Sequence, residues 1–333
     1  MPIDVHAHYV PPDLLEKVRD RGAGLGVSVL GEPPACEQCL RFAHGLQVRP
    51  FPQRLVEDPA ARLENMRRQG IDRQVLSIWT DIFGYALPSP QGTAWHRLLN
   101  QSLGHWCARH PASFSWLASG ALPDAASAAR ELENSVRQEG AVGGVVAANV
   151  EGDNLGEFNL DEYWAAAVEL DVPVFIHPAQ PDPTPRTRRF ALNPIAQYTF
   201  DTTLAVGSLI ASGVLDRFPR LNLILSHGGG TLPYLAGRFD CLLSRTDRKA
   251  TGNVASELPS AYLRRMHYDT ILHNPRALRF LADTVGTDRM VIGTDDSFPP
   301  ADHDPIGSLQ AAGFDAEEIG IIGTQNPKRL FHL

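Results

Sequence analysis

The stretch that most constrains this chain is its opening, Pro2-Ile3-Asp4-Val5-His6-Ala7-His8. Apolar or small residues alternate with Asp4, His6 and His8, the period-two pattern of a β-strand. Side chains two apart in a strand share a face, so the two imidazoles point the same way and can hold one metal ion as a pair. A surface strand that carries two histidines by chance reads the same in isolation. The pair gains meaning if other strands deliver ligands to the same end.

The chain beyond residue 58 alternates short apolar runs with amphipathic stretches. Strands are expected at 3–8, 74–79, 114–122, 142–150, 172–177, 222–227, 267–270 and 289–293. Helices are expected between them at 59–70, 93–110, 125–139, 160–169, 202–215, 232–243 and 275–285, with a last one at 316–320. Glycine after 139 and proline at 111 punctuate these segments as helix stops. Strands alternating with helices imply a parallel sheet. Eight such units in 333 residues predict an α/β fold, a closed (β/α)8 TIM barrel forming one domain over 1–333. A doubly wound open sheet is the rival, but it wants a glycine-rich phosphate loop after the first strand, and the opening segment has none. Residues 9–57 interrupt the alternation. Proline, glycine and polar residues dominate there, with one helical stretch at 14–21 and short strands at 25–30 and 46–51. They read as an insertion after the first strand, a small β-rich cap.

A barrel places its active site at the C-terminal ends of its strands. There the first strand offers His6 and His8, the fifth His177, the sixth His227, the eighth Asp295, and the seventh Asp269 or Thr270. A lone histidine at a strand end is usually a hydrogen-bonded core residue. Several independent strands delivering His or Asp to one rim need a common cause. Three histidines and a carboxylate suit Zn2+, Mn2+ or Fe2+ with a position left for water. Zinc lowers the pKa of bound water to about 7, and a histidine just outside the ligands can then move protons. The assignment is His6, His8, His177 and Asp295 as ligands and His227 as acid/base. Asp4 lies deeper in the barrel and reads as a buried partner rather than a ligand. A second metal on His227 would want a bridging carboxylated lysine at the end of the fourth strand. That strand ends Ala147-Ala148-Asn149-Val150, and Lys17, Lys249 and Lys328 stand elsewhere, so one metal is expected.

Composition excludes other classes. The net charge of -8 argues against nucleic acid or an acidic membrane surface as partner. No run of about 18 apolar residues suggests a membrane span, and a functional-looking strand from residue 2 leaves no room for a secretory signal. A cytoplasmic enzyme is expected. Of the four cysteines only Cys36 and Cys39 are close; with His44 as the one further ligand nearby, they read as two reduced thiols in a surface loop rather than a zinc knuckle.

With these residues in view, the chain resembles the amidohydrolase superfamily, and within it the branch of 2-amino-3-carboxymuconate-6-semialdehyde decarboxylase and related non-oxidative aromatic-acid decarboxylases. The resemblance runs from residue 2 to the C-terminus. It is carried by Ile3-Asp4-Val5-His6-Ala7-His8, Asp58-Pro59-Ala60-Ala61-Arg62-Leu63-Glu64-Asn65-Met66, His177-Pro178, Phe218-Pro219, His227-Gly228-Gly229-Gly230, Gly237-Arg238, Tyr268-Asp269 and Gly293-Thr294-Asp295. It implies one zinc, or manganese, on His6, His8, His177 and Asp295, no organic cofactor, and a catalytic His227. It implies a homodimer in which Arg238 enters the neighbouring subunit's site and grips a substrate carboxylate. A second carboxylate-binding arginine corresponds to Arg49, with Arg54 as a rival. Two stretches depart from the branch, His177-Pro178-Ala179-Gln180 and Asp296-Ser297-Phe298-Pro299; both shape the pocket, so the substrate is expected to differ. The implied reaction is metal-dependent, non-oxidative decarboxylation of an unsaturated or aromatic carboxylic acid. The alternative on the same scaffold is a hydrolase of a lactone or amide, or a hydratase. A non-enzymatic metal-binding protein would have a degraded site, and here all five residues are intact.

Overall fold

The computed structural model describes residues 1–179 and 183–333. Eight strands, all parallel, follow one another in chain order around one sheet: β1 (Ile3–His8), β2 (Arg73–Ser77), β3 (Phe114–Ser119), β4 (Gly143–Ala147), β5 (Val174–His177), β6 (Leu223–Leu225), β7 (His267–Asp269) and β8 (Met290–Val291). Runs such as Val174-Phe175-Ile176 and Leu223-Ile224-Leu225 are wholly buried, because helices cover the outer face of a parallel sheet and side chains fill the inner one. The sheet closes on itself beyond β8. Val5 donates its N–H to the Ile292 carbonyl at 2.9 Å, Asp295 to the His6 carbonyl at 2.8 Å, and His8 to the Asp296 carbonyl at 3.0 Å. The last strand's C-terminal extension is thereby zipped against β1, which brings Asp295 beside His6 and His8.

The helices sit where the sequence placed them, with shifted ends. The expected 93–110 helix starts earlier, as Ser89–Cys107, and the 202–215 helix is Tyr198–Ala211, preceded by a π-helical turn at Asn193–Gln197. Asp58, Asp124 and Asn274 cap the N-termini of Pro59–Arg68, Ala125–Glu139 and Pro275–Val285 by accepting backbone N–H groups, the usual work of these side chains. Several expected strands are shorter. The 142–150 run ends at Ala147, and Asn149–Val150 turns back against Asp153–Asn154 as a small hairpin. The 222–227 run ends at Leu225, so His227 stands in a separate turn, His227–Gly229.

Residues 9–57 differ most from expectation. The helix is Pro12–Leu25, longer than 14–21. Val27–Leu30 is a strand, and its antiparallel partner is Cys39–Phe42, a strand not expected from the sequence. The 46–51 run makes only scattered backbone bonds to that hairpin; Pro50 and Pro52 have no N–H with which to continue a ladder. The thiols are not both on a surface loop either. Cys36 is half-buried, whereas Cys39 is buried in the hairpin, its sulfur accepting from Gln47 Nε2 at 3.6 Å.

Candidate metal centre and substrate cavity

The strand-end residues that the alternation singled out meet at one point. One ligand atom from each of His6, His8, His177 and Asp295 lies within 4.8 Å of the others, and all four side chains are buried. His6 Nε2 is 3.1 Å from His8 Nε2, and Asp295 Oδ1 is 3.3 Å from His6 Nε2 and 3.4 Å from His8 Nε2. Two ligands bound at about 2.1 Å to a tetrahedral ion stand roughly 3.4 Å apart, so these spacings suit a shared divalent cation.

The hydrogen bonds behind the rings make the same point. His177 Nδ1 lies 2.7 Å from the Pro178 carbonyl, which can only accept, so Nδ1 carries the proton and Nε2 presents a lone pair. His6 Nδ1 faces Asp269 Oδ2 at 2.6 Å, with the same consequence for its Nε2. His8 Nδ1 is 3.0 Å from Ser77 Oγ, and Thr80 Oγ1 also sits 3.0 Å from His177 Nδ1. Partners of this kind behind ligating histidines fix ring orientation. In front of the rings, His177 Nε2 and Asp295 Oδ1 are buried without a hydrogen-bond partner in the protein. Buried polar atoms are rarely left so, and a cation is the group that these donors fit.

Charge points the same way. Burial works against protonation of His6, but Asp295 and then Asp269 outweigh it and raise its pKa to about 10. Burial pushes His8 down to about 4 and His177 well below the ordinary histidine range. Burial also opposes ionisation of Asp295, yet the charge on His6, with the rings of His227 and His8 close by, holds its carboxyl well below the usual range. The cluster therefore combines an ionised Asp295, neutral His8 and His177 rings and a His6 that the carboxylates around it hold charged, a strong demand for positive charge at this point.

Asp4 is no ligand. It is fully buried beneath the rim, where it accepts from the His6 N–H at 3.0 Å, Gln74 Nε2 at 2.9 Å and Thr294 Oγ1 at 2.7 Å. Burial raises its pKa to about 6.

His227 stands beside the four, its Nε2 3.5 Å from Asp295 Oδ2 and its ring 5.2 Å from that of His6. Its φ of +53° is left-handed, as is the +55° of Asp295, and strained backbone of this kind persists only where its surroundings hold it. Gly230, at φ +65°, meets the Thr199 carbonyl so closely that a Cβ would not fit. Helix Tyr198–Ala211 thereby packs against the His227 turn.

A cavity of about 920 Å3 opens over the centre, reaching His177, His227 and Asp295 at its floor. Its walls are largely apolar, with Trp79, Ile195, Ile271, Leu272 and Phe298. Arg49 lines it, its guanidinium 5.0 Å from the Trp79 ring and 5.5 Å from Phe298. The rival Arg54 is committed elsewhere: its Nη2 is 2.6 Å from Oδ1 of the fully buried Asp296. Arg238 is exposed on helix Leu232–Leu243 and does not line this cavity. Gln180, one of the departures in the fifth-strand loop, lies outside the described residues, whereas Phe298 from the other departure is a cavity wall. Sequence reasoning missed Tyr198, a cavity residue whose hydroxyl donates to Asp81 Oδ2 at 3.4 Å, and Arg188 at the cavity wall. It also missed the buried Arg62, whose Nε donates to Gln74 at 2.8 Å; a charged residue on the inward face of helix Pro59–Arg68 was the available signal.

Comparison with known proteins completes the picture. Residues 3–333 match the Amidohydrolase family. The chain is 30% identical over 301 residues to 2-amino-3-carboxymuconate-6-semialdehyde decarboxylase of Dictyostelium discoideum, covering 89% of this chain and 82% of that one. It is 28% identical over 322 residues to gamma-resorcylate decarboxylase of Rhizobium radiobacter, covering 90% and 95%. Among solved structures, a dihydroxybenzoic acid decarboxylase from a Polaromonas species, with bound manganese and the inhibitor 2-nitroresorcinol, superposes with a TM-score of 0.79 at 22% identity, covering 100% of this chain and 97% of that one.

Proposed function

This chain belongs to the amidohydrolase family, and we propose that it is a metal-dependent, non-oxidative decarboxylase of an unsaturated or aromatic carboxylic acid. The observation that carries this reading is the convergence of three imidazole Nε2 atoms and one carboxylate at the floor of a largely apolar cavity, with His227 alongside. The two relatives named above are decarboxylases, and their extent of match covers nearly the whole of this chain.

His6, His8, His177 and Asp295 would hold one divalent ion, zinc or manganese. Such an ion supplies Lewis-acid stabilisation of negative charge on substrate oxygens. The apolar walls, with Trp79 and Phe298 foremost, take the flat body of the substrate and exclude water from it. Arg49 fixes a carboxylate by charge-assisted hydrogen bonds while its own plane rests on the two aromatic rings. His227 delivers a proton to the carbon that carries the departing carboxylate. The C–C bond then breaks, its electron pair returns to the π-system, and CO2 leaves as the new C–H bond remains. Solvent returns the proton to His227.

The protein would act as a homodimer in the cytoplasm, where its four free thiols suit a reducing compartment. Tyr234, Arg238 and Leu242 recur at four-residue spacing on one helix, so they share a face. Tyr234 is 80% and Leu242 59% exposed, and Phe200 and Leu204 on the adjoining helix Tyr198–Ala211 are 50% and 58% exposed. A second copy seated there would bury this apolar face and carry Arg238 toward the neighbouring cavity. Residues 9–57, which supply Arg49 to the cavity wall, would act as its cap.

The test is product analysis with the metal-loaded protein on a panel of dienoic and aromatic carboxylates. CO2 release with a proton incorporated at the same carbon is expected. Ring opening or water addition without CO2 would instead make the protein a hydrolase or hydratase.

A further inference from the structure

We propose that Asp269 is the positioning residue that couples metal ligation to the acid/base histidine, through one carboxylate serving both. It lies at the C-terminal end of β7, is fully buried, and touches neither cavity nor ligand point directly. Its Oδ2 accepts from His6 Nδ1 at 2.6 Å and from the His227 N–H at 2.9 Å. Its Oδ1 accepts from the Gly228 N–H at 2.9 Å and the Ile271 N–H at 3.1 Å. Four donors on two oxygens leave neither oxygen replaceable by an NH2 group.

Each half of that arrangement has a consequence. On the His6 side, an acceptor at Nδ1 commits that nitrogen to its proton and leaves Nε2 as the ligand atom. On the His227 side, the carboxylate grips two successive backbone N–H groups of a turn in which His227 and Gly228 both have left-handed φ, +53° and +61°. A buried carboxylate taking two consecutive N–H groups is the device that holds such a turn against its strain. Gly293 makes room for this group: a Cβ there would come within 2.9 Å of both Asp269 Cβ and His6 Cβ. The pair is therefore packed from behind as well as bonded. If Asp269 is altered, metal affinity and His227 placement fail together.

The inference rests on the reading of the cluster as a metal centre. Its test is Asp269→Asn in the full chain, with Zn2+ and Mn2+ binding measured by competition with a chromophoric chelator, beside histidine 15N NMR of the Zn2+-loaded wild type. The variant should lose about 10–100-fold in affinity for both ions, the range for partners behind ligating histidines. Wild-type His6 should show a protonated, strongly hydrogen-bonded Nδ1 and a metal-bound Nε2. Wild-type affinity in a folded Asp269→Asn, or a wild-type His6 bound through Nδ1, overturns the proposal. The NMR arm needs no variant, so it stands even if the substitution prevents folding. A wild type that binds neither ion defeats the metal-centre reading itself, an outcome distinct from failure of the Asp269 proposal.

Discussion

Arg54→Ala and Arg49→Ala separate two arginines that the sequence left as rivals, because their surroundings predict opposite phenotypes. Arg54 Nη2 is 2.6 Å from the fully buried Asp296, while the other cation at that carboxylate, Arg62, stands 3.9 Å away. Truncating Arg54 leaves a buried charge with one distant partner, a change that costs roughly 3–5 kcal/mol for a fully buried pair. Arg54 keeps 33% exposure, so water offsets part of this and about 2–3 kcal/mol is expected. For a chain of 333 residues the unfolding entropy is about 0.7 kcal/mol/K, which makes the loss a fall in Tm of roughly 3–4 °C. Asp296 adjoins the ligand Asp295, and Ser297 Oγ donates to the His8 and Arg54 carbonyls, so metal affinity should fall as well. Arg49 is exposed at the cavity wall, its guanidinium resting on the rings of Trp79 and Phe298. Its removal should change stability by less than about 0.5 kcal/mol but raise KM by roughly 10–100-fold, the loss of a hydrogen bond to a charged group. Calorimetry, metal titration and steady-state kinetics on the two variants decide the matter. An Arg54→Ala protein with wild-type Tm and metal affinity but a raised KM would refute this assignment.

His227→Ala should retain metal in stoichiometric amount yet lose roughly 10²–10⁴ in kcat, the usual share of a proton-transfer residue; elemental analysis beside turnover checks both halves. An Arg238→Ala protein should lose substrate affinity, and mixing it with inactive His227→Ala should restore activity if the arginine acts across the dimer; no gain on mixing would end that role. At the start of β7, His267 is buried and its pKa is pushed down to about 3 by burial and then by Arg289 and Arg329. The folded state thus refuses a proton that the unfolded state takes below about 6.5, so this stability is complete above that value and is lost as pH falls toward 3. The loss is at most about 1.4 kcal/mol per pH unit, and His267→Leu should flatten the acid limb of stability between pH 6 and 4. An unchanged slope in urea titrations would refute it.

The parts that could be read from the chain are those whose cause is local. His6, His8, His177 and Asp295 each close or follow a short apolar run, and strand polarity alone sends such ends to one rim. Helix stops at glycine and proline likewise follow from backbone sterics. What escaped depends on long-range pairing. Residues 46–51 carry an apolar pattern that suggests a strand, yet the partner of Val27–Leu30 is Cys39–Phe42, a choice set by the hairpin's own closure. Arg62, Gln74, Asp4 and Thr294 form a buried relay whose members lie up to 290 residues apart, beyond any spacing rule. Asp269 is legible only as one of two rim candidates beside Thr270, because its strand of three residues is too short for periodicity to mark which of them points inward. Cys39 reads as a loop thiol because nothing nearby in sequence announces the hydrophobic cover it receives.

The central claim is one metal ion on four named side chains, and anomalous diffraction from crystals of the metal-loaded protein tests it most directly. The account predicts a single peak per chain, about 2.0–2.2 Å from Nε2 of His6, His8 and His177 and from an Asp295 carboxylate oxygen, with His227 close by but unbound. No peak at this point, or a second peak ligated by His227, would contradict it.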